Sequence, residues 1–201
     1  MLSEIIVATG NRGKLEEFKT LLTDVSLAVT SLRDYWDPIV SIPEDGATFY
    51  ENALGKAQWV FSRTGKPSLA DDSGLEVDFL GGRPGVKSAR FAGDGETDQK
   101  NLEKLLMLLK ECPPEKRTAR FRCVLVFVCS NEEIVTAQGT CEGVIGPGPS
   151  GDNGFGYDPV FIPLGFHQTF AQLGDAVKNR ISHRAMALSE LKKKLYERSA
   201  A

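Results

Sequence analysis

The stretch Ala119–Cys129, ARFRCVLVFVC, constrains the fold of this 201-residue chain more than any other. From Cys123 onward it is apolar on both faces. A strand with one wet face alternates polar and apolar residues; a strand apolar on both faces must be covered on both, which predicts a central position in a sheet. The segment that follows, EEIVTAQGTCEGVI over 132–145, reads as its hairpin partner across Ser130-Asn131. That hairpin makes at least part of the sheet antiparallel. Helical patterns lie on either side of it, so the expected class is α/β with a mixed sheet, and a doubly wound Rossmann arrangement is excluded.

Those helical patterns are well marked. Leu15, Phe18, Leu21 and Leu22 repeat at helical spacing after an apolar strand at the N-terminus. Residues 25–42 read as a strand followed by an irregular stretch. Thr48 and Glu51 form a T-x-x-E capping box, and Gly65 before Lys66-Pro67 supplies the stop. In between, Phe49, Ala53, Ala57, Val60 and Phe61 make the apolar face, while Asn52 and Lys56, four apart, share another. Leu75, Val77 and Phe79 alternate as in a half-buried strand. Thr97 caps a third helix built on Leu102, Leu105, Leu106 and Leu109 and ended by Pro113-Pro114. The last helix begins near Ser182, with Ala185, Leu188, Leu191 and Leu195 inward.

No repeat or linker divides the chain, and 201 residues suit one domain, 1–201, or one domain with a modest second lobe. A net charge of −3 argues against a polyanion-binding surface, so no nucleic-acid partner is expected. No apolar run would span a bilayer and no signal-peptide pattern opens the chain, which predicts no membrane partner. Cys112, Cys123, Cys129 and Cys141 contain no C-x-x-C pair, and with two histidines a zinc site is not expected. A cytoplasmic protein with reduced thiols is the natural expectation.

Four segments carry candidate chemistry. The first is IIVATGNRGK over 5–14. It fails the P-loop template, because Ala8 stands at the first glycine and Leu15 at the hydroxyl position, and it lacks the third glycine of G-x-G-x-x-G. A strand–turn–helix junction still presents backbone N–H groups and the positive end of a helix dipole to an anion. Asn11 can cap the helix and Lys14 adds charge; the same residues also suit an ordinary turn with a solvated lysine. The second is SLADDSG over 68–74. Asp71 and Asp72 are adjacent, so on a strand they point to opposite sides; one can face a cleft while the other caps a turn or anchors a loop. Glu44 and Asp45 lie on a loop able to approach them, and converging carboxylates invite Mg²⁺, which takes one or two of them plus waters and phosphates. Both aspartates also fit as turn residues before Gly74. The third, GDNGFGYDPVF, places Phe155 and Tyr157 among glycines, either as a face for a flat ring or as core aromatics of a tight turn. The fourth, SHRA, puts His183 and Arg184 in the first turn of a helix, where an arginine opposes the dipole, with Lys178 just upstream. Such local conflicts mark functional sites.

Taken in order, ATGNRGK (8–14), ENALGKA (51–57), ADDSGLEVDFLGGRPGVKSARFAG (70–93), TDQKN (97–101), GFGYDPVF (154–161) and SHRAMAL (182–188) resemble the inosine triphosphate pyrophosphatase, or Ham1-like, family across nearly the whole chain. The resemblance implies an elongated mixed sheet flanked by helices, two lobes with a deep substrate cleft, and a homodimer. It implies Mg²⁺-dependent hydrolysis of the non-canonical purine triphosphates ITP, dITP, XTP and dXTP to the monophosphate and pyrophosphate, which keeps deaminated purines out of DNA and RNA. By position, Thr9, Gly10, Asn11, Arg12, Gly13 and Lys14 would hold the triphosphate, with Lys56 adding charge. Asp72 would be the general base and a metal ligand, Glu44 the second metal carboxylate, and Ser73 a substrate contact. Phe155, Gly156, Tyr157, Asp158, Lys178, His183 and Arg184 would contact base and sugar. Lys87, where an aromatic is common, and Gly174, in a segment usually more polar, depart from the family pattern. Two rivals share parts of this reading: a nucleotide sensor without hydrolysis, which needs no acidic pair, and a pyrophosphatase for modified pyrimidines, which changes only the base pocket.

Overall fold

The computed structural model describes residues 4–23, 28–38, 40–130 and 133–199. Its sheet has six strands in the order β2-β1-β3-β4-β5-β6, formed by β1 (Glu4–Val7), β2 (Ala28–Ser31), β3 (Ser68–Val77), β4 (Thr118–Val128), β5 (Ile134–Ile145) and β6 (Phe161–Pro163). β1 runs parallel to β2 and β3, and β5 antiparallel to β6, so the sheet is mixed. β4 is interior to that order, and Cys123 through Val128 are all buried, as an apolar strand requires. The hairpin to β5 is held by Cys129 N–H donating to Glu133 O and Ile145 N–H to Arg117 O. Its Asn131 turn position and the start of the 25–42 strand, residues 25–27, lie outside the described residues.

The helices are α1 (Arg12–Leu21), α2 (Phe49–Thr64), α3 (Asp98–Leu108), α4 (Phe170–Leu173), α5 (Asp175–Ile181) and α6 (His183–Ser199). Local rules account for their ends. Asn11 caps α1 through its side chain, Thr48 and Glu51 form the reciprocal box on α2, and Thr97 caps α3. α2 closes on Gly65 in the left-handed conformation. Two expectations fail. Phe79 does not continue β3: Asp78–Leu80 turns into a 3-10 helix and leaves Phe79 exposed. α3 ends at Leu108, before the prolines, and a further turn carries the chain to Pro113. Gly174, with φ +73, separates α4 from α5, and Lys87 is exposed.

The chain forms two compact units. The first holds residues 1–72, 123–139 and 185–201; the second holds 73–122 and 140–184. Strands β3, β4 and β5 contribute residues to both. The first unit has two cores, one on Phe18, Leu125, Phe127 and Leu188 and another on Ile6, Ala53, Val60 and Val126. The second is built on Leu75, Leu105, Phe121, Phe161 and Phe170. None of the four cysteines forms a disulfide. No helix among the described residues is long and apolar enough to cross a membrane.

Candidate active site

In the first unit, two lysines and three carboxylates form one cluster with an excess of negative charge. Both aspartates of β3 are buried, Asp71 to 1% and Asp72 to 5% exposure, so neither is a surface turn residue. Each meets its own lysine. Lys14, on the first turn of α1, lies 2.6 Å from Asp71 Oδ1. On the other side Cys123 Sγ lies 3.5 Å from Asp71 Oδ2. Lys56, itself buried on α2, reaches Glu44 Oε1 at 2.5 Å and Asp72 Oδ1 at 3.4 Å.

Asn52, one turn before Lys56, has no place in the sequence-derived site, yet it is built into it. Its amide donates to Asp72 Oδ2 at 3.1 Å and its carbonyl oxygen accepts from Gly46 N–H at 2.8 Å. It thereby ties the loop that carries Glu44 to the buried aspartate. The four-residue spacing of Asn52 and Lys56 was the available signal; that their shared face is buried was not.

The electrostatics follow from this arrangement. Burial pushes the Asp72 carboxyl above the usual aspartate value, and Lys56, Lys14 and the Asn52 hydrogen bond offset that only in part. Burial opposes the charge on Glu44 too, but Lys56 and Lys14 outweigh it and hold its carboxyl below the ordinary range. Lys56 loses solvation, yet Asp72, Glu44 and Asp71 together raise it, so it stays an ammonium. Beside this cluster, Thr9 is buried with its Oγ1 accepting from Asn11 N–H at 3.2 Å, and the Asn11 side chain accepts from Lys14 N–H at 3.0 Å. Arg12 and Gly13 occupy the first helical positions, whose amides have no acceptor within a helix. Gly10 and Arg12 are exposed.

The second unit gathers the other candidates. Lys178 and Asp158, 3% and 2% exposed, form an ion pair at 2.5 Å. The same Asp158 Oδ2 accepts from Phe155 N–H at 2.9 Å, and the Lys178 ammonium lies 4.5 Å from the Phe155 ring centroid. Gly154 at φ +80 makes this turn possible, because a Cβ there would fall 2.1 Å from Asp158 Oδ2. Of the two readings the sequence leaves open for Tyr157, a face for a flat ring or a core aromatic, the structure shows the second. Tyr157 is 4% exposed in the core, with its hydroxyl donating to Ser88 O at 2.9 Å. Phe155 is half-buried.

Arg184 is 1% exposed and donates to Ser73 Oγ at 2.9 Å. His183 stacks on Phe121, with centroids 4.8 Å apart and planes at 15°, which sets the plane of its imidazole. The site set therefore falls into two groups: Lys14, Lys56, three carboxylates and the amides of α1 in the first unit, and the Phe155 ring, the Lys178–Asp158 pair, His183 and Arg184 in the second.

The Ham1 family model matches residues 5–194 of the chain. Among curated relatives, the dITP/XTP pyrophosphatase of Shouchella clausii is 49% identical over 191 residues, covering 95% of this chain and 96% of that protein. The dITP/XTP pyrophosphatase of Bacillus subtilis is 48% identical over 195 residues, with 97% and 98% covered. The solved Ham1 protein of Coxiella burnetii superposes with a TM-score of 0.86 at 39% identity, covering 98% of this chain and all of that one. With a match over almost its full length and the same fold at this identity, the chain belongs to the Ham1 family.

Proposed function

We propose that the protein hydrolyses non-canonical purine nucleoside triphosphates, ITP, dITP, XTP and dXTP, to the monophosphate and pyrophosphate. The observation that carries this reading is Asp72, a buried carboxylate pushed up in pKa and held between Lys56 and Asn52, in a chain whose relatives are dITP/XTP pyrophosphatases. A sensor would need no such base.

The donor set suits Mg²⁺. Glu44 and Asp72 both place a carboxylate oxygen on the Lys56 ammonium, and these two would hold the ion. Two carboxylates would leave most of the shell to waters and phosphates, as Mg²⁺ prefers. When bound, the ion supplies charge neutralisation on the phosphates. Asp72 positions a water and accepts its proton as the water oxygen bonds to the α-phosphorus; the bond from that phosphorus to the β-bridging oxygen breaks and pyrophosphate leaves. Lys14, Lys56 and the amides at the start of α1 take up phosphate charge. In the second unit, Lys178, His183 and Arg184 donate to a keto oxygen at C6, which favours hypoxanthine and xanthine over the amino group of adenine. A cytoplasmic homodimer belongs to the same reading.

The test is a panel of triphosphates with Mg²⁺ and product analysis by ion exchange. dITP should give dIMP and pyrophosphate in equal amounts without dIDP, and Asp72→Asn should bind nucleotide but lose most turnover, since an amide cannot take the proton. Early orthophosphate with dIDP, or near-normal turnover in Asp72→Asn, would refute the mechanism. Preference for modified pyrimidines would move the reading to the rival class.

A further inference from the structure

The segment TDQKN, 97–101, is singled out by the sequence but takes no part in the chemistry above. Its side chains reach two other segments of the second unit. Asp98, the first residue of α3, accepts the Gly156 N–H on Oδ2 at 3.0 Å. Asn101, 2% exposed, accepts Ala92 N–H on Oδ1 at 2.6 Å and donates to Ala89 O at 3.1 Å. Lys104, on the same helix, donates to Phe91 O at 2.6 Å. One helix thus grips both the 89–92 segment and the 154–158 loop.

Those two segments also grip each other. Tyr157 donates to Ser88 O, and Ser88 Oγ in turn accepts Leu75 N–H at 2.9 Å and donates to Gly85 O at 2.6 Å. The contacts close a ring: α3 to Gly156, Tyr157 to Ser88, and the 89–92 segment back to Asn101 on α3. The Asp98 charge is close enough to add to the effect of burial in raising the Tyr157 hydroxyl above its usual pKa. The ring matters because of what hangs on it. Phe155 lies between Gly154 at φ +80 and Gly156 at φ +61, two residues with little backbone restraint of their own. Its orientation depends on outside ties: Asp158 Oδ2 on its own N–H, and Asp98 on the next amide.

We infer that Asp98 is a positioning residue for base discrimination: through the Gly156 N–H it sets the peptide that orients the Phe155 face beside Lys178. This rests on the proposed function, in which Phe155 and Lys178 meet the base. It assigns Asp98 no contact with substrate. Its effect should therefore fall on the ratio of kcat/KM between dITP and dATP and leave kcat for dITP nearly untouched.

The experiment compares Asp98→Ala with Asp98→Asn. Both remove the charge that favours the N-terminus of α3, but the amide oxygen of asparagine can still accept the Gly156 N–H, so the pair separates helix stability from positioning. Asp98→Ala should lower the dITP:dATP ratio of kcat/KM roughly three- to tenfold, the scale of one lost hydrogen bond, while kcat for dITP changes by less than about threefold. Asp98→Asn should restore most of the ratio. A second readout needs no substrate: native-state amide exchange at Gly156 should quicken at least about tenfold in Asp98→Ala and stay near wild type in Asp98→Asn. An unchanged ratio with faster exchange would overturn the role in discrimination, and unchanged exchange would overturn the tie itself. A wild-type protein inactive on dITP would sink the proposed function alone, and the exchange rates would still decide whether Asp98 holds the loop.

Discussion

Replacing Lys178 by Met removes one ammonium and keeps most of the apolar stem, which makes it a clean probe of the buried pair with Asp158. Both residues are almost wholly buried and 2.5 Å apart. Removing one partner of such a pair costs roughly 3–5 kcal/mol, because the other charge stays behind without it. Asp158 would retain the Phe155 N–H at 2.9 Å, so the lower end, about 3 kcal/mol, is expected. For a chain of this size that corresponds to a Tm lowered by about 6–12 °C. The double variant Lys178→Met/Asp158→Asn removes the stranded charge while the amide oxygen still accepts from Phe155. It should recover at least about 1.5 kcal/mol of the loss, within the range measured for coupled neighbours. Urea unfolding should be followed by circular dichroism as well as fluorescence. Trp36 and Trp59 both belong to the first unit, so their emission alone would not report the second. A Tm within about 2 °C of wild type for Lys178→Met, less than 1 kcal/mol by the same conversion, would refute the reasoning. So would a double variant no more stable than the single one.

Three further outcomes follow from the geometry. Lys14→Ala should reduce kcat/KM for every triphosphate alike while leaving the dITP:dATP ratio intact, since Lys14 pairs with Asp71 in the first unit and the proposed function gives it phosphate to hold, not base; a changed ratio in steady-state kinetics would contradict this. Asn52→Leu strips a donor from Asp72 and an acceptor from Gly46; it should cost about 1–3 kcal/mol in urea unfolding and lower kcat more than it raises KM, whereas wild-type kcat would remove Asn52 from the site. The Asp78 carboxyl is held below its usual value first by hydrogen bonds from Arg120 and then by Thr118, against a small cost of burial. Its folded pKa is depressed, so its stabilisation is present above the ordinary aspartate pKa and is lost as pH falls through the folded value. Asp78→Asn should therefore flatten the acid limb of stability against pH, and an unchanged limb in acid titrations followed by circular dichroism would count against that pair.

Much of this molecule was determined by the sequence itself, wherever the controlling interactions are short-range. The Thr48–Glu51 box, the Asn11 and Thr97 caps and the left-handed stop at Gly65 each close within a few residues, so pattern alone locates them. The two-faced apolar run from Cys123 requires an interior strand whatever surrounds it. The candidate residues were legible because their types occur in a family order along the chain. Only the tertiary structure decided who meets whom. Adjacent aspartates on a strand point apart, but that both are buried, and that Lys14 meets Asp71 while Lys56 bridges Glu44 and Asp72, depends on strand order and on which face of α2 is covered. Tyr157 and Phe155 share one glycine-rich loop, and the sequence does not separate them; the Ser88 carbonyl draws one inward, and the other stays at the surface. Asp98 reads locally as an ordinary first-turn acid. Its bond to Gly156, fifty-eight positions away, exists because folding sets the start of α3 beside that loop, and no local rule encodes a contact at that separation.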